Sequence, residues 1–122
     1  MTDWEAIGGE PAVSAIMDAF VDRMFDDMIV GFLFQGKDRE GIKRHEVALV
    51  SSHMDGPLAY EGRPLVSLHR GLKINRGQFR RRIALLKLTL ERFAVPPEVA
   101  ARWIAFDERL IDSFTDGTDC VG

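Results

Sequence analysis

Three histidines lie in the middle of the chain: His45, His53 and His69. A histidine among leucines is usually a core side chain satisfied by one hydrogen bond, and spacing alone favours that role by about two to one. His69 differs because Pro64 precedes its short segment, Gly71 follows it and its surroundings are strongly apolar. Its apolar neighbours are Leu65, Leu68, Leu72, Ile74 and Phe79. The pattern indicates an imidazole held in place among apolar side chains.

The rest of the sequence lacks the common sets of metal-binding residues. Cys120 is the only cysteine, and there is no CxxC pair and no HExxH motif. A single histidine holds a bare metal ion poorly. It can hold the iron of a haem, because the porphyrin supplies four nitrogens and leaves only the axial positions. We therefore interpret His69 as an axial haem ligand, with a packing role as the alternative, and expect His45 to face it across the haem.

The composition is that of one ordinary globular domain. The chain has 122 residues, of which 46% are hydrophobic and 29% charged, and its net charge is −3. We expect a single domain over residues 1–122, with a core at about 4–114 and a flexible C-terminal tail. The negative charge argues against nucleic-acid binding. No signal peptide or membrane-length apolar run is present, and a lone cysteine suits a reducing compartment, so we expect a cytoplasmic protein.

Hydrophobic spacing in the first half of the chain predicts two helices. The first begins at Pro11 and ends near Asp26, and the apolar run MIVGFLF at 28–34 is interpreted as a connector. Asp38 is the predicted cap of the second helix. The inner stripe expected on that helix consists of Ile42, His45, Glu46, Leu49, Val50 and His53.

The second half predicts two further helices. Asn75 and Gln78 form a capping-box pattern before the third. Arg80–Arg82 point in three directions on that helix and are interpreted as a solvated face, and Pro96 separates it from the last helix. The apolar residues expected to face inward on the third helix are Phe79, Ile83, Leu86 and Leu90. With short pieces at the N-terminus and around His69, this gives four substantial helices, no strand and an all-α fold class.

Six motifs occur in order along the chain. They are AIGGEPAV at 6–13, FVDRMFDD at 20–27, FLF at 32–34, DGPLAYEGRPL at 55–65, LHRGLKI at 68–74 and AVPPEV at 94–99. On this ordered set the chain resembles the truncated haemoglobins of group I, found in bacteria, cyanobacteria and protozoa, from about residue 4 to residue 114. The resemblance implies a globin-like two-over-two helical sandwich around a haem.

The resemblance also implies roles for individual residues. It makes His69 the proximal iron ligand, and His45 a possible distal iron ligand. The haem contacts that it implies, together with the apolar neighbours of His69, are Phe34, Ile42, His45, Glu46, Leu49, Tyr60, Leu65, Leu68, Leu72, Ile74 and Phe79.

The chain departs from the family at positions that matter for function. Val21 stands where relatives usually carry a tyrosine whose hydroxyl holds bound oxygen, and Glu46 replaces a usual glutamine. Some cyanobacterial relatives attach haem covalently through a histidine of the last helix. No histidine follows His69, so the sequence predicts haem b bound without a covalent link.

These departures leave His45 as the candidate hydrogen-bond donor on the distal side. Losing a donor lowers oxygen affinity by about one to two powers of ten. Val21 and an ionised Glu46 cannot donate a hydrogen bond, so His45 either coordinates the iron as a second axial ligand or donates to a bound gas. Alternatively His45 points outward to a haem propionate or to Glu46. Glu46 is either a protonated buried acid or a carboxylate paired with Lys43 or Arg44.

The function that the resemblance implies is reversible binding of a diatomic gas (O2, NO or CO) or redox cycling, with a possible six-coordinate state that uses His45. One alternative is a nitric oxide dioxygenase, which would need a separate reductase because the chain has no flavin or nicotinamide domain. Another is a haem-free helical interaction or signalling module, against which His69 and Phe34 argue.

Overall fold

A computed structural model describes residues 1–58, 74–111 and 115, and within them every regular element is a helix. These elements are α1 (Asp3–Ile7), α2 (Gly9–Asp26), a 3-10 helix (Gly31–Phe34), α3 (Arg39–His53), α4 (Arg76–Arg92) and α5 (Pro97–Arg109). The predicted all-α fold and its four substantial helices are confirmed. The short helical piece expected around His69 lies outside the described residues. No helix in the described part combines the length and apolar character needed to cross a bilayer.

The boundary between α1 and α2 depends on a glycine. Gly8 ends α1 with φ 113, a left-handed conformation that residues with a Cβ rarely adopt, and also precedes the first residue of α2. α2 therefore begins at Gly9, two residues before the predicted start at Pro11. Pro11 lies in the first turn, where its missing N–H costs nothing. The predicted end of this helix at Asp26 is confirmed.

The predicted caps of α3 and α4 are both present. The backbone N–H of Gly41 donates to the Asp38 carboxylate at 3.1 Å. At the start of α4, the N–H of Gln78 donates to the Asn75 side chain at 2.8 Å, and the N–H of Asn75 donates back to the Gln78 side chain at 3.0 Å. These bonds satisfy N–H groups that have no partner within the helix, so the chain's own sequence fixes where both helices begin.

The core is built around α2, which packs against α3 on one side and α4 on the other, while α5 packs against α4. Its buried face contributes Val13, Ile16, Met17, Phe20, Val21 and Met24. The α4 residues predicted to face inward, Phe79, Ile83, Leu86 and Leu90, are all buried. From α5 the core receives Val99, Trp103 and Ile104.

The inner stripe predicted for α3 is displaced around the helix. The buried residues of α3 are Val47, Val50 and Ser51, so only Val50 belongs to the predicted stripe. Four of the other predicted members are half-buried and one is exposed. The half-buried members are Ile42, Glu46, Leu49 and His53, and the exposed one is His45. The predicted stripe therefore follows the border of the face that α3 packs against the core.

Candidate functional site

The predicted apolar site residues in the first half of the chain, Phe34, Ile42 and Leu49, are each half-buried, and we call them together the strip. Phe34 ends the 3-10 helix, and its ring stacks on that of Phe25 with 4.9 Å between centroids. Ile42 and Leu49 lie on α3, about two turns apart, and each is half-buried. Phe34 and Ile42 pack against the core while keeping part of their apolar surface exposed.

The other predicted haem contacts fall into two groups. Ile74 and Phe79 are core residues at the start of α4, with 9% and 3% of their surface exposed. The remaining predictions fall within residues 59–73 and lie outside the described residues. They are Tyr60, Leu65, Leu68, His69 and Leu72.

The strip suits a cofactor that is flat and largely apolar. Phe34, Ile42 and Leu49 offer aromatic and branched aliphatic surface that the protein covers only in part. Ligand pockets are lined mainly by such side chains, with few polar groups among them. Between Ile42 and Leu49 the same border of α3 carries one acid, Glu46. This lining fits haem, whose ring needs apolar contacts and whose iron needs only axial ligands.

His45 is exposed in the structure, on the turn of α3 that also carries half-buried Glu46. His45 is the most exposed of the residues that the sequence places on the inner stripe of α3.

Arg82, on α4, is the centre of a buried ion cluster that joins three helices. Its Nη1 and Nη2 groups donate to the two carboxylate oxygens of Glu46 on α3, at 2.8 Å and 3.0 Å. Its Nε group donates to Asp107 on α5 at 3.0 Å. The guanidinium carbon also lies 5.1 Å from the ring centroid of Phe20 on α2 and 5.7 Å from that of Phe79. The Glu46–Arg82–Asp107 cluster thus ties α3, α4 and α5 together.

The cluster places two acids on one base in a poorly solvated setting. The exposed fraction is 14% for the side chains of Glu46 and Arg82 and 2% for that of Asp107. Burial alone would lower the pKa of Arg82, but the charges of Glu46 and Asp107 outweigh it and hold that pKa above its ordinary value. Burial raises the pKa of Asp107, although the guanidinium opposes this. Arg82 is therefore always charged, and it is the partner on which both carboxylates depend.

Two interpretations made from the sequence are wrong here. Arg80–Arg82 do not form a solvated face, because Arg82 is buried in the cluster and Arg81 donates to Asp27 at 2.6 Å. The cation that pairs with Glu46 is Arg82, not Lys43 or Arg44. Those two basic side chains contact other acids: Lys43 lies 2.7 Å from Asp18 and 3.0 Å from Asp22, and Arg44 lies 4.0 Å from Asp38.

A sequence signal for the cluster did exist. Arg82 lies on the inner side of α4, one turn from Phe79 and from Leu86. Asp107 is likewise one turn from Trp103 on the buried face of α5. A charged residue on an apolar stripe is expected to be paired, and the opposite signs of Arg82 and Asp107 suggest that the two pair with each other.

His53, at the end of α3, is a packing residue. Its ring stacks on Phe106 with 4.0 Å between centroids and meets Trp103 edge-on at 6.3 Å. Its Nε2 atom is buried and has no hydrogen-bond partner among the described residues. Burial lowers the pKa of His53 to about 4, from an ordinary value of 6.5. The neutral imidazole is therefore the form that the native protein accommodates.

We expect His53 to make the protein acid-sensitive. The unfolded chain takes up a proton near pH 6.5, but native His53 does so only near pH 4, so the free energy of unfolding falls as the pH drops between these values. His53→Phe keeps a ring against Phe106 without the titration and should lose less stability over this range. Urea unfolding at several pH values measures this. The same pH dependence in His53→Phe and in the native sequence would contradict it, and His45→Phe, an exposed position on the same helix, serves as the control.

The described helices pack around α2, and the half-buried strip and the buried ion cluster both include residues of α3 or its neighbours. This arrangement suits the class of helical cofactor-binding proteins. A family model for bacterial-like globins matches residues 2–111. Over 94 residues the chain is 33% identical to the group 1 truncated haemoglobin of Nostoc commune, and the aligned part covers 77% of each of the two chains. The chain therefore belongs to the bacterial-like globin family, and the resemblance to group I truncated haemoglobins is confirmed. Membership of the globin family implies haem binding.

Solved structures show the same fold. The truncated haemoglobin of Tetrahymena pyriformis, in its Fe(III) form, has a TM-score of 0.87 at 23% identity and covers 97% of this chain and 100% of that one. The 2/2 haemoglobin of a Synechococcus species, solved with covalently attached haem, has a TM-score of 0.84 at 21% identity and covers 93% and 98%. The expected two-over-two globin fold is confirmed.

Proposed function

We propose that this globin binds haem b without a covalent link, holds the iron through His69, and binds a diatomic gas reversibly. The observation that carries the proposal is the globin family match over residues 2–111, which spans His69, the one histidine that the sequence surrounds with apolar residues. The half-buried surface of Phe34, Ile42 and Leu49 supports it, because this surface is the kind that a porphyrin covers.

Side chains of this protein would have distinct roles around the cofactor. Haem, when bound, supplies the iron to which a gas binds. Phe34, Ile42 and Leu49 would exclude water from one side of the ring, which protects a bound gas from protonation and displacement. Val21, where relatives usually carry a tyrosine, is fully buried in the core and offers no hydrogen-bond donor. A hydrogen bond to the gas would therefore come from another element of the protein.

Absorption spectra of the purified protein test the proposal. We expect a Soret band in the ferric protein, a shifted band after reduction and a further shift when carbon monoxide is added. Acidified organic solvent should extract the haem completely, because no histidine follows His69 in the sequence. A chain that folds but takes up no haem from added hemin would overturn the proposal, and haem that stays with the protein on extraction would overturn its non-covalent part.

We further propose that His45 closes the iron as a second axial ligand in one state of the protein. The position of His45 supports this proposal, because it lies between Ile42 and Leu49 along α3 and its exposed side chain is not packed into the core. We expect low-spin bands in the ferrous spectrum of the native sequence and their loss in His45→Ala, because a six-coordinate iron with two imidazoles is low-spin. A ferrous spectrum that is five-coordinate in the native sequence and unchanged in His45→Ala would exclude the bis-histidine state.

A further inference from the structure

The Glu46–Arg82–Asp107 cluster is unevenly buried. Asp107 keeps 2% of its side chain exposed, whereas Glu46 and Arg82 each keep 14%. The more accessible part of the cluster is therefore the pair of Glu46 and Arg82. Glu46 lies between Ile42 and Leu49 along α3, and all three are half-buried, so α3 connects this pair with the strip.

The guanidinium of Arg82 is fixed in position but not saturated with acceptors. It has five N–H bonds, and the printed contacts use one from Nε, one from Nη1 and one from Nη2. The second hydrogens of Nη1 and Nη2 have no such acceptor among the described residues. The rings of Phe20 and Phe79, at 5.1 Å and 5.7 Å, restrict the group further. Arg82 is thus a cation in a fixed position, and it has N–H groups that can still donate to a further acceptor.

We propose that Arg82 is a specificity-determining residue of the haem pocket, and that it donates a hydrogen bond to a negatively charged ligand bound at the iron. The inference rests on the proposed function, since it requires haem to lie along the strip. A charged donor binds an anion through a strong, short hydrogen bond, whereas it gains little from a neutral gas such as carbon monoxide. The class of ligand that the cluster favours is therefore a small anion or a gas that becomes partly negative when bound.

The two acids have distinct parts in this arrangement. Glu46 accepts from both Nη groups at 2.8 Å and 3.0 Å and so sets the plane of the guanidinium on the strip side. Asp107 accepts from Nε, on a different edge of the guanidinium, and is almost fully buried. Asp107 is a positioning residue that also adds negative charge behind the donor. Removing that charge should strengthen anion binding, whereas removing Arg82 should weaken it, and a merely structural cluster predicts neither change.

The test compares fluoride binding to the ferric protein with carbon monoxide binding to the ferrous protein. We expect Arg82→Met to lower fluoride affinity by about 10- to 100-fold relative to carbon monoxide affinity, the size expected for one charged hydrogen bond. The C–O stretching frequency of the carbon monoxide complex, measured by infrared spectroscopy, should rise in this variant because a positive donor has been removed. Arg81→Met, which alters the neighbouring arginine that pairs with Asp27, is the matched control and should leave the ratio of affinities unchanged.

Each outcome decides the proposal. A fluoride to carbon monoxide ratio within twofold of the native value in Arg82→Met, with no infrared shift, would overturn it. If Arg82→Met does not fold, Asp107→Asn and Arg82→Lys decide instead. Asp107→Asn should raise fluoride affinity severalfold and Arg82→Lys should lower it, and no change in either would overturn the inference. Native protein that takes up no haem would defeat the proposed function itself, which is a separate result.

Discussion

His69→Ala is expected to abolish tight haem binding. The imidazole is the proximal axial ligand in the proposed function, and neither of the other two histidines takes its place. His53 is packed against Phe106 with 4.0 Å between ring centroids, and His45, the proposed second ligand, binds from the distal side and in one state only. Residues that merely support a metal ligand contribute about 10- to 100-fold to affinity, so loss of the ligand itself should cost more than about 100-fold. The measurement is the rate of haem transfer to an excess of a haem-scavenging apoprotein.

Two further variants make this result specific to the imidazole. His53→Phe, which alters a histidine outside the proposed pocket, should transfer haem at the native rate. His69→Gly should bind haem weakly, and added imidazole should restore the native absorption spectrum by occupying the space of the missing side chain. Full retention of haem by His69→Ala, with an unchanged ferrous spectrum, would remove His69 from the iron and with it the proposed function.

Local signals account for the parts of the fold that the sequence predicts well. The caps at Asp38 and Asn75 involve residues three positions apart, so each helix start is encoded within one turn. The inward face of α4 follows from its apolar spacing, because the residues at that spacing form one clear apolar stripe on this helix. These features do not depend on knowing which helices are neighbours.

The face of α3 depends on tertiary packing, and there the sequence misleads. Two apolar stripes lie side by side on this helix, and spacing cannot decide which of them packs against α2. Ser51 illustrates the difficulty: it is fully buried although it is polar, because its hydroxyl accepts a hydrogen bond from the N–H of Leu58 at 2.9 Å. A stripe that includes Ser51 looks less hydrophobic than the stripe of Ile42 and Leu49, yet it is the one that the core covers.

The ion cluster was missed for a related reason. Arg82 lies 36 positions from Glu46 and 25 from Asp107 along the chain. The position of Arg82 and Asp107 on the apolar faces of their own helices signals burial, but no single helix identifies the partner of either charge. Only the assembly of α3, α4 and α5 shows that the three charges share one buried location. For the candidate site, the sequence therefore proposes Phe34, Ile42 and Leu49 as haem contacts, which stays a prediction, and does not reveal the Glu46–Arg82–Asp107 cluster.

Arg82→Met is expected to destabilise the folded protein by about 3–5 kcal/mol, the cost of breaking a buried ion pair from one side. The variant leaves Glu46 and Asp107 as two poorly solvated carboxylates without their cation, with 14% and 2% of their side chains exposed. Urea unfolding of the holoprotein, followed by far-UV circular dichroism, measures the change. Arg102→Met is the matched control, because its pair with Asp3 is largely exposed at the surface and should contribute at most about 1 kcal/mol.

Two measurements distinguish the loss of charge pairing from a simple packing defect as the cause of this loss of stability. If the loss of the guanidinium charge beside the two carboxylates causes it, the triple change Arg82→Met with Glu46→Gln and Asp107→Asn should recover most of the stability, because all three charges of the cluster are removed. The loss in Arg82→Met should also shrink as the pH falls. Without Arg82 nothing opposes the effect of burial on Asp107, so its folded-state pKa rises further above its ordinary value. Protonation of Asp107 at low pH then removes its buried charge, and the loss caused by the substitution becomes smaller. A pH-independent loss that the triple change does not relieve would show that Arg82 contributes through its packing against Phe20 and Phe79 instead.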